Sequence, residues 1–290
     1  MIGEKKGNSC EKWLFPFFYM WRNVNNTVTM IIKLAEKVIE IKNQFEYIEK
    51  YCEKYLLTNA SDAVYNNSKP DFTIIVSRED IAYERQKSEE EDHMSGNPVR
   101  CFHDGYLETL AVYRKIAQAL LPCDILLFHG SVIAVDGEGY LFTAKSGTGK
   151  STHTKLWREL FGSRAVMVND DKPLLKVTDG GVTAYGTPWD GKHHLSTNIG
   201  VPLQAICILV RGDDNSIRQL TPKEAYPRLL QQSYRPADIM NMRRCLKLVE
   251  RMSNRVSLYE LHCNMNPEAA IVSYEAMVQK QQKNTSNQEE

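Results

Sequence analysis

The chain has 290 residues, of which 42% are hydrophobic and 25% are charged. These fractions are close to globular averages and exclude a collagen-like, mucin-like or wholly disordered polymer. Its 36 Lys and Arg residues balance 36 Asp and Glu residues, so the net charge of zero supplies no overall field for nucleic acid or an anionic membrane surface. The length allows one large domain or two smaller ones.

The cysteine spacing and the apolar segment near the start indicate where in the cell the protein is expected. The seven cysteines form no Cys-x-x-Cys pair and no close Cys/His group of the kind that structural zinc needs, which predicts reduced thiols. The apolar run 13–21 contains Pro16 and is about half as long as a membrane span. No small-residue cleavage site follows it at usable spacing. We therefore expect a cytoplasmic protein that neither spans a membrane nor binds nucleic acid.

The first part of the chain divides into an irregular start and a patterned region. Residues 1–29 lack sustained periodicity and are predicted to be an appendage, which is either native or the product of a start codon assigned upstream of Met30. Over residues 31–57 the pattern predicts a strand-like segment followed by a helix. Alternating apolar residues predict a strand over 71–77.

Two further segments complete the predicted N-terminal α/β region, residues 30–122. Residues 84–98 are rich in charge and close with Gly and Pro, which predicts an exposed loop. Apolar residues recur on one side over 104–121, which predicts an amphipathic helix that Pro122 ends.

The rest of the chain alternates strand and helix patterns, with hairpin turns at 136–139 and 179–181. The predicted strands are 125–128, 131–135, 140–143, 165–168, 174–177, 182–185, 205–210 and 256–261. The predicted helices are 151–161, 223–231, 238–252 and 268–279. We therefore expect an α/β fold with a mixed sheet and β-hairpins, a second domain over 123–280, and a frayed polar tail over 281–290.

One segment carries a recognisable chemistry. Residues 144–151, Ala-Lys-Ser-Gly-Thr-Gly-Lys-Ser, fit the phosphate-binding loop (P-loop) pattern except that Ala144 replaces its first glycine. In that pattern glycines turn backbone N–H groups towards phosphate oxygens, the lysine reaches the β- and γ-phosphates, and the serine hydroxyl joins the Mg²⁺ shell. A following helix adds its positive N-terminal end. The residues predicted to bind ATP are Ser146, Gly147, Thr148, Gly149, Lys150, Ser151 and Thr152.

The context of this loop supports a nucleotide site. A predicted strand precedes it, a helix follows, and a second strand ends in Asn169-Asp170-Asp171. Paired aspartates at a strand end are suited to hold Mg²⁺ and to accept a proton from an attacking hydroxyl. The alternative is a glycine-rich turn beside two solvated aspartates.

These residues resemble a known family. His129-Gly130, residues 146–151 and residues 169–171 are similar to the catalytic domain of HPr kinase/phosphorylase and, more distantly, to ATP-dependent phosphoenolpyruvate carboxykinase. Residues 128–131, 169–173 and 185–189 look like the HPr-kinase-related proteins of gut Firmicutes. The resemblance, which extends over about residues 125–210, implies a P-loop kinase-like domain that uses ATP and Mg²⁺.

Carried over by motif, the resemblance implies that His129 supports Asp170, that Asp170 is the base, and that Asp171 binds the metal with Ser151. With Lys150 at the phosphates, the expected activity is transfer of the γ-phosphoryl group to a hydroxyl. The acceptor is either a serine of a small protein or peptide or a small molecule, and a homo-oligomer is compatible with the sequence. The alternative is a non-catalytic nucleotide-binding regulatory protein, but the second carboxylate favours an enzyme.

The loop 187–194 departs from the HPr kinase pattern and is therefore the candidate acceptor loop. Lys192 and His193 would contact phosphate, and Asp190 would complete a metal shell. Neighbouring side chains alternate sides, so His193 and His194 are not expected to face one site. The alternative is a capped surface turn in which Trp189 merely packs. Further candidates for charge stabilisation are Arg211, Arg235, Arg243 and Arg244.

Overall fold

The computed structural model describes residues 28–57 and 69–286, with side chains as far as residue 278. The predicted appendage 1–29 lies outside these residues except for Val28 and Thr29, which begin the first strand.

The N-terminal region is a three-stranded sheet covered by helices. Its strands are β1 (Val28–Leu34), β2 (Lys37–Asn43) and β3 (Phe72–Ile75), and its helices are α1 (Tyr47–Tyr51), α2 (Arg78–Met94) and α3 (Asp104–Leu120). β1 and β2 form an antiparallel hairpin, and β3 pairs with β2 in parallel. The sequence predicted only one strand and a longer helix here, whereas the predictions of a strand over 71–77 and a helix over 104–121 are confirmed.

The predicted exposed loop over residues 84–98 is wrong, because α2 occupies most of it. Ser77 and Asp80 form a reciprocal capping box at the helix start. The helix packs against α3 along a narrow face. Its buried Glu84 accepts a hydrogen bond from Arg114 of α3 at 2.5 Å. Because this face includes carboxylates, α2 lacks a clear apolar stripe.

The remaining described residues form a curled mixed α/β structure around a nine-stranded sheet. Its strands are β4 (Ile125–Leu127), β5 (Ser131–Val135), β6 (Glu138–Thr143), β7 (Ala165–Asn169), β8 (Leu174–Thr178), β9 (Gly181–Tyr185), β10 (Gly200–Arg211), β11 (Ser216–Gln219) and β12 (Ser257–Cys263). Its helices are α4 (Lys150–Phe161), α5 (Pro222–Gln232), α6 (Ile239–Ser253) and α7 (Glu268–Ser286). The predicted strands and helices of this half are confirmed to within a few residues. The short β11 was not predicted, β10 begins earlier than expected, and α7 continues beyond residue 279, with residues 287–290 outside the described part.

The strand order brings several loops to one edge of this sheet. The order is β4-β8-β9-β10-β6-β5-β7, and β12 also pairs with β10. β10 is parallel to β6, whereas β5 is antiparallel to both β6 and β7. The ends of β6, β7 and β10 and the start of β5 therefore lie at the same edge.

Hydrophobic cores lie on both faces of the sheet and beneath α3. Leu248 and Val249 of α6 pack on one face, and Trp157 of α4 and Met277 of α7 pack on the other. The third core joins α3 to β4 and to Trp189. Within residues 28–57 and 69–286, no helix is long and apolar enough to cross a membrane. The cysteines at positions 52, 123, 207, 245 and 263 are free thiols, as predicted.

Candidate functional site

A glycine-rich loop, residues 144–149, connects β6 to α4 at the sheet edge. Gly147 and Gly149 have φ angles of +76° and +121°, a backbone region that side chains with a Cβ atom rarely adopt. An added Cβ would meet nothing within 4 Å at either glycine. The backbone conformation of the loop, rather than crowding, therefore requires glycine at both positions.

Lys150 begins α4 directly behind this loop, and its side chain is 9% exposed. Its ammonium lies 3.5 Å from the carbonyl oxygen of Ala144, at the start of the loop. Burial lowers the pKa of Lys150, and the negative charge of Asp171 opposes that effect. The ammonium of Lys150 therefore lies at the start of the loop, where it interacts with the charge of Asp171.

Asp170 is buried next to the start of α4. The Ser131 hydroxyl of β5 donates to its Oδ1 at 2.6 Å. The same Ser131 oxygen lies 3.3 Å from Oγ1 of Thr154, which donates to the carbonyl oxygen of Lys150. The hydroxyl groups of Ser131 and Thr154 therefore lie between Asp170 and the first turn of α4, where Ser151 lies.

Asp171 lies on the more accessible side of the same turn, with 36% of its side chain exposed. Its Oδ1 is 3.3 Å from Nε2 of His129 and 3.4 Å from Nζ of Lys172. Burial raises the pKa of Asp171, but the hydrogen bond from His129 and the charge of Lys172 outweigh it, so the pKa lies below its usual range. Asp171 is therefore a carboxylate at neutral pH.

The contact of His129 differs from the one that the resemblance implies. The histidine was expected to support Asp170, but its ring lies against Asp171 instead. Asp170 is directed towards Ser131 and lies beneath Gly191, where an added Cβ would be 2.7 Å from its Oδ2. Because Asp170 is buried and directed away from the histidine, His129 contacts Asp171.

Two side-chain amides, a buried one of Asn169 and a half-buried one of Gln232, hold the residues of this edge in place. Oδ1 of Asn169 accepts from the backbone N–H groups of Asp171 and Lys172 at 2.9 and 2.6 Å, which fixes the turn after β7. At the end of α5, Oε1 of Gln232 lies 2.7 Å from Nδ1 of His129, and the Gln232 carbonyl accepts from the His129 backbone N–H. Sequence reasoning missed Gln232 and Ser131 as partners of the site.

The candidate acceptor loop is divided between two environments. Trp189 is 5% exposed and donates from Nε1 to the carbonyl oxygen of Thr109, so it packs in the α3 core. The side chains of Lys192 and His193 are exposed. Gly191, the residue before Lys192, covers Asp170.

Asp190 bonds within its own loop. Its Oδ1 lies 2.9 Å from Nδ1 of His194, and its Oδ2 accepts from the backbone N–H of Ser196 at 2.9 Å. Lys54 holds the same stretch from the N-terminal region, because its ammonium donates to the carbonyl oxygens of His194 and Ser196. Of the two adjacent histidines, His194 has a carboxylate partner; His193, the one expected to face the site, has none within residues 28–57 and 69–278.

One of the four candidate arginines contacts the glycine-rich loop. Arg211, at the end of β10, donates to the carbonyl oxygen of Gly147 at 2.5 Å. Arg243 and Arg244 lie with Met240 on the exposed start of α6. Among the described residues, no hydrogen bond or ion pair joins these two or Arg235 to the loop.

The chain is thus a mixed α/β protein with a glycine-rich loop, a buried lysine and two carboxylates at one sheet edge. A protein-family model described as SynChlorMet cassette protein ScmC matches residues 106–278, more than half of the chain, so the chain belongs to that family. A comparison with curated proteins gives no match. Among solved structures, the Hpr(Ser) kinase/phosphatase from Coxiella burnetii is weakly similar, with 12% identity and a TM-score of 0.31 over 56% of this chain and 94% of that chain.

Proposed function

We propose that the protein is an ATP- and Mg²⁺-dependent phosphotransferase of the HPr-kinase-like type, which transfers the γ-phosphoryl group to a hydroxyl acceptor. The observation that carries this proposal is the meeting of the glycine-rich loop, Lys150 and the Asp170–Asp171 pair at one sheet edge. Phosphoryl transfer depends mainly on positioning and on charge stabilisation, and these groups supply both.

The loop provides the proposed ATP site. Residues 146–152 would offer backbone N–H groups and the positive N-terminal end of α4 to the phosphates. Lys150 would pair with the β- and γ-phosphates, which would compensate a charge that burial now disfavours. The positive φ of Gly147 and Gly149 supports this interpretation, because curled backbone is what directs successive N–H groups inward.

Oxygen ligands suited to Mg²⁺ lie beside this loop. The described residues contain no group of three or more His, Cys, Asp or Glu side chains placed to hold a metal. Mg²⁺ commonly binds through one or two carboxylates together with substrate phosphates, so Ser151 and one aspartate suffice. The buried position of Asp170 close to the first turn of α4 favours Asp170 for this role. The bound ion would neutralise charge on the phosphates.

The contacts favour Asp171 as the base, the reverse of the assignment that the resemblance implies. A base must reach the acceptor hydroxyl, and Asp171 is the more exposed of the two carboxylates. As the acceptor oxygen bonds to the γ-phosphorus, its proton passes to Asp171, and the bond from that phosphorus to the β–γ bridging oxygen breaks to release ADP. His129 would orient the carboxylate.

The acceptor remains a serine of a small protein or peptide or a small molecule. Lys192 and His193, which are exposed and directly follow the Asp170-covering Gly191, are the proposed acceptor contacts. Trp189 stabilises the loop by donating a hydrogen bond to Thr109, and Asp190 stabilises it by accepting one from Ser196. A cytoplasmic location and association of copies of the chain are part of the same proposal.

Nucleotide binding is tested with Lys150→Ala. Removal of one charge-assisted contact costs roughly 1.5–3 kcal/mol, which is about a 10- to 150-fold loss of affinity for ATP with Mg²⁺, measured by calorimetry. The matched control is Lys155→Ala, because Lys155 lies on the same helix and pairs with Glu159 at its exposed surface. Equal ATP affinity of wild type and Lys150→Ala would contradict the proposal.

Catalysis is tested with two aspartate variants and labelled ATP, in a screen for phosphate transfer in lysate of the source organism. Asp171→Asn should reduce transfer by roughly 10²- to 10⁴-fold, the usual contribution of a general base, and should retain ATP binding. Asp170→Asn should weaken Mg²⁺-dependent ATP binding. The opposite phenotypes would restore the assignment implied by the resemblance, and ATP binding by the wild type without any transfer would favour the regulatory alternative.

A further inference from the structure

A cavity of about 310 Å³ lies between the glycine-rich loop, the end of β10 and the last turns of α5. This volume is at the small end of the range of ligand pockets, about 300–1,000 Å³. The lining residues on which the argument depends are Ala144, Thr148, Ile208, Val210, Arg228 and Gln231. The cavity is therefore continuous with the loop that we propose as the phosphate site.

The strand order gives the direction in which a bound nucleotide would leave the loop. β5 and β7, which carry Ser131 and precede the aspartates, lie on one side of β6, and β10 lies on the other. An extended triphosphate with its γ-phosphoryl group at Asp171 would run along the loop towards β10. Arg211 fastens the loop to the end of β10 through the carbonyl oxygen of Gly147, so the cavity lies where the nucleoside would emerge.

The lining suits a flat, apolar group with a polar edge. Ala144 and the β10 side chains Ile208 and Val210 provide apolar surface. Thr143 pairs with Ile208 across β6 and β10, which fixes the two walls relative to each other. A nucleobase has this combination of an apolar face and hydrogen-bonding edges.

The polar lining discriminates between purine bases. A glutamine amide can both donate to and accept from adenine, whereas an arginine suits the two acceptors of guanine. Arg228 is already engaged by the carboxylate of Glu260, with which it forms a hydrogen-bonded ion pair. Gln231 is exposed to the cavity, and no hydrogen bond occupies its side-chain amide within the part of the chain that the structure describes.

We propose that this cavity binds the adenine base of ATP, with Val210 and Ile208 against the ring and Gln231 at its polar edge. This inference rests on the proposed function, because it assumes that phosphates occupy the glycine-rich loop. It adds a specificity-determining residue, Gln231, that neither the sequence motif nor the phosphate chemistry requires.

The first test fills the cavity with Val210→Trp and compares two ligands, ATP and inorganic tripolyphosphate, both with Mg²⁺. ATP affinity should fall about 10-fold or more, because the indole occupies the space of the base, and tripolyphosphate affinity should change less than about twofold. The matched control is Val166→Trp, a valine of β7 in the same sheet whose side chain is 40% exposed. The control should leave both affinities unchanged.

The second test does not depend on packing, since Gln231 is exposed. Wild type should bind ATP about 10-fold more tightly than GTP, and Gln231→Leu should reduce that preference to less than about threefold without changing tripolyphosphate binding. A preference for ATP that survives Gln231→Leu would overturn the role of Gln231.

The outcomes separate the two proposals. If the wild type binds neither ATP nor tripolyphosphate, the proposed function fails and the base site fails with it. If the wild type binds both, and Val210→Trp weakens both equally or neither, only the base site is refuted. Selective loss of ATP in Val210→Trp, with loss of base preference in Gln231→Leu, supports it.

Discussion

Glu108 of α3 gives a pH-dependent stability that can be calculated from the structure. Its carboxylate is fully buried, where Oε1 accepts from the Gln44 backbone N–H at 2.6 Å and Oε2 accepts from that of Phe45 at 3.0 Å. Burial raises its pKa from 4.5 to about 7, although the two backbone hydrogen bonds oppose the change. The folded chain therefore holds a proton at Glu108 at a pH where the unfolded chain has released it.

The sign follows from proton binding. Between pH 4.5 and 7 the folded state binds more protons at this position than the unfolded state, so raising the pH lowers the free energy of unfolding. The contribution of Glu108 to the free energy of unfolding is complete below about pH 4.5 and is lost as the pH rises through 7. The difference in pKa corresponds to about 3 kcal/mol, of which roughly 2–3 kcal/mol falls between pH 5 and pH 8.

The measurement is urea unfolding of wild type and Glu108→Gln from pH 5 to pH 8. Glutamine stays neutral but presents one acceptor instead of two, so the variant should be less stable than wild type at pH 5 by about 1–3 kcal/mol. The difference should shrink or reverse by pH 8, since only wild type loses stability at this position. Parallel pH profiles would refute the reasoning. A difference that widened with pH would mean that the two backbone hydrogen bonds outweigh burial.

Two further substitutions, with Gly137→Ala as a control for the second, test the packing around the carboxylate edge. Trp189→Ala should lower the free energy of unfolding by roughly 3–5 kcal/mol because it empties a buried indole site, and a loss below about 1 kcal/mol in urea unfolding would contradict this packing role. Gly186→Ala would place a Cβ 2.0 Å from the carbonyl oxygen of Thr197 and 2.7 Å from that of Val168, so the melting temperature should fall by more than about 10 °C. Gly137→Ala, in an open turn with φ +87°, should cost only about 1 kcal/mol, and equal losses would show that crowding is not the cause.

The candidate site was predictable from sequence where its residues are consecutive. The strand before the glycine-rich loop, α4 after it and the aspartates after β7 each have a local signal of periodicity, glycine or charge. The residues that contact the aspartates and determine their roles have no such local signal in the sequence. Gln232 is 103 residues from His129, and only the return of α5 to the sheet edge brings them together.

Helix α2 shows a different limit. Its buried face includes Ile81, Glu84 and Asp92, so a search for apolar periodicity fails although the helix is real. Arg114 compensates Glu84 and Arg100 compensates Asp92, and both arginines lie outside the helix. A local signal was nevertheless present, since Ser77 and Asp80 have the spacing of a capping box.

The acceptor loop, which covers one of the two carboxylates, is attached to the N-terminal region. Gly191 covers Asp170, while Lys54 holds the backbone of His194 and Ser196 and Trp189 is buried under α3. The covering residue is therefore clamped on both sides by parts of the chain that carry none of the proposed phosphate chemistry. The cover over Asp170 therefore depends on contacts with the N-terminal region, at Lys54 and Thr109, as well as on the larger sheet.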